Sequence, residues 1–213
     1  MRPFYCFSWK IVRVLSKAIL GFRAVGPEKV PSSGPIILAS NHRSYFDPPL
    51  IGISVDREVH FMAKSELFSF RPFGRLIASL NAHPVRRGQK DSAAVDEMVE
   101  LLKRGEAVVI FPEGTRQRGR GGVGRAKSGV ARLALSTGAP IMTVYIRGSR
   151  EKWKALFRLK PVRVYFGRVI EPETYGKYSR DSKGFRALAG HVVGEIGRLI
   201  EEVDGRAPES RKT

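Results

Sequence analysis

Five short apolar runs, at residues 36–40, 58–63, 107–111, 141–146 and 162–169, recur along the chain with helix-length amphipathic patterns between them. Runs this short are strand-sized. The intervening patterns, near residues 48–55, 64–80, 91–104, 126–137 and 182–203, are long enough to carry the chain back across a sheet. Such alternation calls for an α/β fold, a largely parallel central sheet flanked by helices. A chain of 213 residues that is 42% hydrophobic can bury one real core. Residues 26–205 are expected to form that domain, with 206–213 as a polar, flexible tail.

The charge balance narrows the partners. Thirty-eight Lys and Arg against 20 Asp and Glu leave a net charge of +18, which suits either nucleic acid or an anionic membrane. The single cysteine, Cys6, excludes an internal disulfide framework and fits a reducing interior. Residues 4–25 are rich in Phe, Trp, Ile, Leu and Val, but Lys10, Arg13, Lys17 and Arg23 interrupt them. No stretch of about 20 uncharged apolar residues is left to cross a bilayer. A clean apolar centre and a small-residue cleavage site are also missing, so a secretory signal fits poorly. Residues 1–25 therefore read as an amphipathic helix at a membrane interface, its bases toward lipid phosphates. Packing against the protein's own core is the alternative.

Chemistry concentrates after two of the apolar runs. Directly after 36–40 come Asn41-His42-Arg43-Ser44-Tyr45-Phe46-Asp47-Pro48. On one straight helix His42 and Asp47 would point about 140° apart, so they meet only if the chain bends between them. Asp47 before Pro48 supplies a bend, as an N-cap followed by proline at the first helical position. A carboxylate so placed fixes the imidazole tautomer and leaves the other ring nitrogen able to take a proton from an alcohol. The same residues also fit a plain helix cap beside a loop histidine. After 107–111 follow Pro112-Glu113-Gly114-Thr115-Arg116. Gly114 permits a turn with exposed N–H groups, Thr115 adds a hydroxyl and Arg116 a bidentate cation, a set suited to a phosphate monoester. Glu113 would orient the cation or meet a substrate hydroxyl. An ordinary strand-end turn with a surface ion pair would read the same.

Together the two segments resemble the paired signatures of the glycerolipid acyltransferase family, whose best-known members acylate 1-acyl-glycerol-3-phosphate to phosphatidate. The His and Asp separated by four residues correspond to His42 and Asp47, and the run Phe-Pro-Glu-Gly-Thr-Arg stands intact at 111–116. Pro84-Val85-Arg86-Arg87-Gly88 is similar to a third block, with Arg87 the counterpart of its arginine and Arg86 a departure from the usual acidic or polar residue, which leaves open which of the two points inward. Residues 139–144 are similar to a fourth, with Thr143 where a proline is usual. Lys127 and Gly129 resemble the residues opening the next helix. The resemblance covers roughly residues 25–170. It implies an enzyme in which His42 is the general base and Asp47 its partner. It further implies that Arg87, Arg116 and Lys127 bind phosphate, with Glu113, Gly114 and Thr115 shaping that site. The implied donor is acyl-CoA or acyl carrier protein, with no metal or other cofactor, and the acceptor a lysophospholipid at the cytoplasmic face of the cell membrane. Related acceptors such as glycerol 3-phosphate or a lyso-ornithine lipid stay open.

Other patterns carry less. Gly119, Gly121 and Gly124 formally match a dinucleotide fingerprint, yet charged residues rather than a strand precede them and no acidic residue follows at the required distance. A phosphate-binding Walker loop fails because Arg125-Ala126 follows Gly124. The Arg-Gly tract at 116–125 could bind RNA, but no aromatic residues interleave it, so nucleic acid is disfavoured and a basic lid over an anionic substrate explains it as well. His60, His83 and His191 read as structural or exposed. With no paired ligand spacing a metal site is not expected. Leu67, Phe68, Phe70 and Phe73 read first as core, with an acyl channel or lipid contact as the alternative.

Overall fold

The structure is a computed structural model that describes residues 1–86, 92–117, 124, 126–151 and 161–205. Its centre is a seven-stranded sheet in the order β1-β7-β6-β2-β5-β3-β4. The strands are β1 (Arg23–Val25), β2 (Ile36–Ser40), β3 (Val59–Lys64), β4 (Ala82–Val85), β5 (Ala107–Ile110), β6 (Ile141–Arg147) and β7 (Arg163–Ile170). Neighbours from β6 through β4 run parallel. β7 is antiparallel to β6, and β1 pairs parallel to β7, so that edge runs against the rest. The largely parallel α/β architecture expected from the sequence is what forms.

Period-two alternation sorts the central strands onto two cores. Ile37, Ala39, Val108 and Ile110 face α4 (Ser92–Lys103), α5 (Gly129–Thr137) and the long C-terminal α7 (Ser182–Gly205). Ile36, Leu38, Ala107 and Val109 face α2 (Asp47–Gly52) and the N-terminal α1 (Pro3–Leu20). Burial of each large side chain contributes about 1.5–3 kcal/mol, so both layers hold the sheet. β2 and β5 are neighbours whose following helices, α2 and α5, leave to opposite faces. Such divergence beyond the carboxyl ends of neighbouring strands is the usual place for a ligand in an open parallel sheet.

Several boundaries differ from the sequence reading. The N-terminal helix stops at Leu20 instead of running through residue 25, because Gly21 takes a left-handed φ of 57° and Phe22 N–H closes the end on Ser16 O. Residues 23–25 then join the sheet as β1. The expected helix over 64–80 is two pieces, a 3-10 turn at Ser65–Phe68 and α3 (Arg71–Ser79), with Pro72 in the first turn of the second. β4 was not anticipated as a strand; it lies at the sheet edge, where Pro84 is tolerated. A short α6 (Pro172–Tyr175) follows β7. Among the described residues no helix is long and apolar enough to cross a membrane.

One face of α1 is built into the molecule. Trp9 Nε1–H is shared between Gly52 O and Val55 O at 3.1 and 3.0 Å, the Val59 N–H donates to Tyr5 Oη, and Arg13 pairs with Asp56. The other face leaves Phe4, Phe7, Ile11, Val14, Leu15 and Ile19 exposed. Those positions recur at helical spacing, so α1 carries a second apolar stripe that its own core does not cover.

Candidate active site

The turn after β2 is built around one carboxylate. Asp47 is the first residue of α2, with Phe46 at the cap and two prolines behind it; the N-cap role expected for Asp47 belongs one residue earlier. Its side chain is 0% exposed, and Oδ2 accepts the Arg43 N–H at 2.6 Å, the Ser44 N–H at 2.7 Å and His42 Nδ1–H at 3.0 Å. The bond to His42 fixes the ring so that Nε2 points away from the carboxylate. Nε2 has no protein partner among the described residues. Phe111, the residue after β5, stacks on the imidazole at a centroid distance of 4.1 Å and covers one ring face. His42 is only 6% exposed, so the free nitrogen looks onto a narrow opening.

The loop after β5 meets the first loop at two points. Gln117 N–H donates to His42 O at 2.9 Å, and Arg116 Nη2 donates to Tyr45 Oη at 2.8 Å with its guanidinium 3.5 Å above the Tyr45 ring. Gly114 has a φ of 66°, which favours glycine, and a Cβ there would sit 2.6 Å from Lys127 Cδ, so the lysine chain would have to move aside. The Lys127 chain lies across that turn while its N–H donates to Pro112 O at 2.7 Å. Thr115 is exposed on the same turn.

Glu113 departs from the expectation that it would orient Arg116. Its carboxyl is 2% exposed and neither oxygen makes a hydrogen bond of ordinary geometry among the described residues. Burial pushes its pKa above the usual carboxylate range, and the nearby Gly124 N–H, Arg43 and Gln117 only partly oppose that. The Glu113 carboxyl is thus buried in the loop instead of pairing with Arg116, which takes Tyr45 as its partner. Arg87 lies outside the described residues. So do Gly119 and Gly121 of the glycine-rich tract.

Some residues of the site carried no expectation. Asn41 is buried between β2 and β6, donating from Nδ2 to Ile146 O at 3.1 Å and accepting Ile146 N–H at 2.8 Å. That double bond pins the strand end from which His42 projects. Its signal in the sequence was only its place between an apolar strand and the histidine. Tyr45 was visible as an aromatic between His42 and Asp47, but nothing in the linear pattern pairs it with Arg116. No three His, Cys, Asp or Glu side chains among the described residues gather as a metal site.

A carboxylate-oriented histidine with one free nitrogen, flanked by cations on the adjoining loop, is equipped to deprotonate an alcohol beside an anionic group. Comparison with known proteins places it. Residues 21–147 match the Acyltransferase family model. The chain belongs to the acyltransferase family. The resemblance read from His42, Asp47 and 111–116 is thereby borne out. Among relatives, the 1-acyl-sn-glycerol-3-phosphate acyltransferase of Bacillus subtilis (strain 168) is 27% identical over 167 residues, covering 78% of this chain and 82% of the relative. The enzyme of the same name from Streptococcus pneumoniae (strain ATCC BAA-255 / R6) is 28% identical over 205 residues, covering 94% and 75%. The crystal structure of the 1-acyl-sn-glycerophosphate (LPA) acyltransferase PlsC from Thermotoga maritima superposes with a TM-score of 0.71 at 24% identity. It covers 98% of this chain and 86% of that one, and the seven-stranded architecture of this acyltransferase matches that fold.

Proposed function

We propose that this acyltransferase moves a fatty acyl group from acyl-CoA or acyl carrier protein to the sn-2 hydroxyl of 1-acyl-glycerol-3-phosphate, giving phosphatidate. The observation that carries the reading is His42 with Nδ1 held by buried Asp47 at 3.0 Å, Nε2 uncommitted, and Arg116 hinged to the same loop through Tyr45. Nε2 takes the proton of the acceptor hydroxyl as its oxygen attacks the thioester carbonyl carbon. Asp47 stabilises the imidazolium that results. When the tetrahedral intermediate collapses, the C–S bond breaks and the leaving thiolate takes that proton, so His42 ends neutral. No enzyme nucleophile is acylated; positioning supplies much of the rate. Arg116 and Lys127 receive the phosphate, joined by Arg87 from the glycine-flanked segment, while Gly114 and Thr115 shape the turn. The names of the two bacterial relatives support the choice of acceptor.

The setting is a membrane surface on the cytoplasmic side. The exposed apolar stripe of α1 would enter the acyl boundary while Lys10 and Lys17, also exposed, meet anionic headgroups, each worth about 1 kcal/mol. An apolar cleft between α1 and α2, lined by Tyr5, Trp9, Val12, Pro48, Pro49 and Phe61, offers room for part of an acyl chain next to the helix that begins at Asp47.

The test is transfer from labelled acyl-CoA, and separately from acyl carrier protein, to lysophosphatidate in vesicles. Phosphatidate formed by the wild type is the expected product, and the arm that yields it identifies the donor. Transfer only to glycerol 3-phosphate or to another lysolipid would replace the acceptor while keeping the chemistry. A folded protein inactive on the whole panel would sink the reading.

A further inference from the structure

Tyr45 stands 63% exposed on the loop between His42 and Asp47, yet it is the residue that holds Arg116. The contact has two components. The guanidinium carbon lies 3.5 Å over the ring centroid, and Nη2 donates to the phenolic oxygen at 2.8 Å. The contact engages one side of the cation and one of its N–H groups, and the remaining Arg116 N–H groups have no acceptor among the described residues. A phosphate monoester needs such N–H groups, because its oxygens are recognised in the guanidinium plane. A free arginine side chain would instead spread over many rotamers and give up that freedom on binding. Tyr45 also sits three residues after His42 in sequence, and the Gln117 N–H to His42 O bond ties the two loops a second time. The cation is thus referenced to the base rather than to its own loop alone.

We propose that Tyr45 is a positioning residue that sets acceptor specificity: it presents the remaining N–H groups of Arg116 to the phosphate of the acceptor and couples that phosphate's place to His42. The inference rests on the acyl-transfer reading above and deepens it by naming what selects a phosphate-bearing acceptor. Tyr45 itself takes no part in proton transfer. Its loss raises the KM for lysophosphatidate and leaves the donor KM and the kcat at saturating acceptor unchanged.

The experiment compares Tyr45→Phe, Tyr45→Leu, Arg116→Ala and the Tyr45→Leu/Arg116→Ala double variant with the wild type. Because Tyr45 is exposed, the variants should fold, and melting checks this. Tyr45→Leu loses both the stack and the hydrogen bond, and the acceptor KM is expected to rise about 5- to 30-fold. Tyr45→Phe keeps the ring, and most of the loss is rescued. In the double variant the two losses are less than additive, since Tyr45 acts only through the arginine. Fully additive losses, or a fall in kcat with unchanged acceptor KM, would overturn the proposal. A second arm needs no turnover. The Arg116 Nε–H resonance, assigned by its disappearance in Arg116→Ala, is shielded by the ring in the wild type and moves in Tyr45→Leu, and glycerol 3-phosphate perturbs it at lower concentration in the wild type than in that variant. A resonance indifferent to Tyr45→Leu refutes the pairing. Absence of turnover by the wild type would instead strike the acyl-transfer reading, with the resonance arm still deciding the role of Tyr45.

Discussion

The molecule holds two histidine sites at opposite ends of its parallel strands, and they use the same side chain differently. At the carboxyl end of β2, His42 spends one nitrogen on Asp47 and keeps the other uncommitted among the described residues. Toward the amino ends of β3 and β4, His60 and His83 spend their nitrogens on each other and on carboxylates. His60 Nδ1 lies 3.0 Å from His83 Nε2, His83 Nδ1 lies 2.6 Å from Glu97, and His60 Nε2 lies 3.9 Å from Glu106. The first arrangement has capacity left for a substrate. In the second, the imidazoles fasten β3, β4, α4 and the start of β5 together. What distinguishes a candidate base from a structural histidine here is the unspent nitrogen and its neighbouring cations, not burial or the presence of a carboxylate.

The sharpest way to break the contrast is to remove each histidine in turn. His42→Ala should lower turnover about 10²–10⁴-fold while the melting transition stays close to wild type. His83→Gln should leave turnover unchanged. Near-normal rates from folded His42→Ala would end its assignment as base, and a large rate loss in His83→Gln would mean the distal pair reaches the chemistry. Arg116→Ala comes next. A lost charge-assisted contact to phosphate should raise the acceptor KM about tenfold or more, with little change for the donor. Equal changes for both substrates would move Arg116 off the phosphate.

The contrast was only half legible in the sequence. His42 and Asp47 could be brought together on paper because Pro48 follows the aspartate and forces a helix start there. The apolar runs likewise gave the sheet, since strand and helix periods differ so strongly. Contacts set by tertiary structure were invisible. The His60–His83 pair depends on the register Met62↔His83 between two strands, one of which hid behind Pro84. The Tyr45–Arg116 stack joins loops 71 positions apart. Glu113 looked like a surface partner for a cation because Glu beside Arg usually is one. Its burial is set by the tertiary packing of the loop, which no linear pattern records. For α1 the sequence offered two readings, membrane face or core face; the structure shows the core face and, beside it, a second apolar stripe left exposed, because the apolar residues are too many for one stripe.

Those two faces of α1 allow a contrast of intermediate size. Phe7→Ser with Ile11→Ser removes exposed apolar side chains, so stability should hold while binding to anionic vesicles weakens about tenfold. Trp9→Ala on the inner face should do the reverse, costing about 2–4 kcal/mol of stability through lost packing and two lost acceptor contacts at Gly52 and Val55. Vesicle binding unaffected by the outer pair would leave α1 as a core helix only.

The smallest effect on catalysis, and a specific one on stability, belongs to the distal pair. Burial, followed by the positive charge of His83, lowers the His60 pKa to about 4, with Arg2 and Arg104 acting in the same direction and Glu58 against it. Glu97 faces His83 from α4, and Glu106 faces His60 from the residue before β5. The 3.0 Å between His60 Nδ1 and His83 Nε2 has room for one proton, so with His83 held against Glu97 the His60 ring stays neutral when folded. The unfolded chain, where His60 has its ordinary pKa of about 6.5, then binds more protons than the native state between about pH 6.5 and 4. Stability from this site is complete above that window and is lost as the pH falls through it, by at most about 3 kcal/mol. His60→Gln should therefore flatten the acid limb of the stability profile between those limits and leave turnover at neutral pH unchanged. Denaturant melts of both proteins from pH 7 to pH 4 measure it. Parallel acid limbs would mean that His60 is protonated in the folded protein after all, and that the distal pair is a charged relay between Glu97 and Glu106 in place of a neutral clasp.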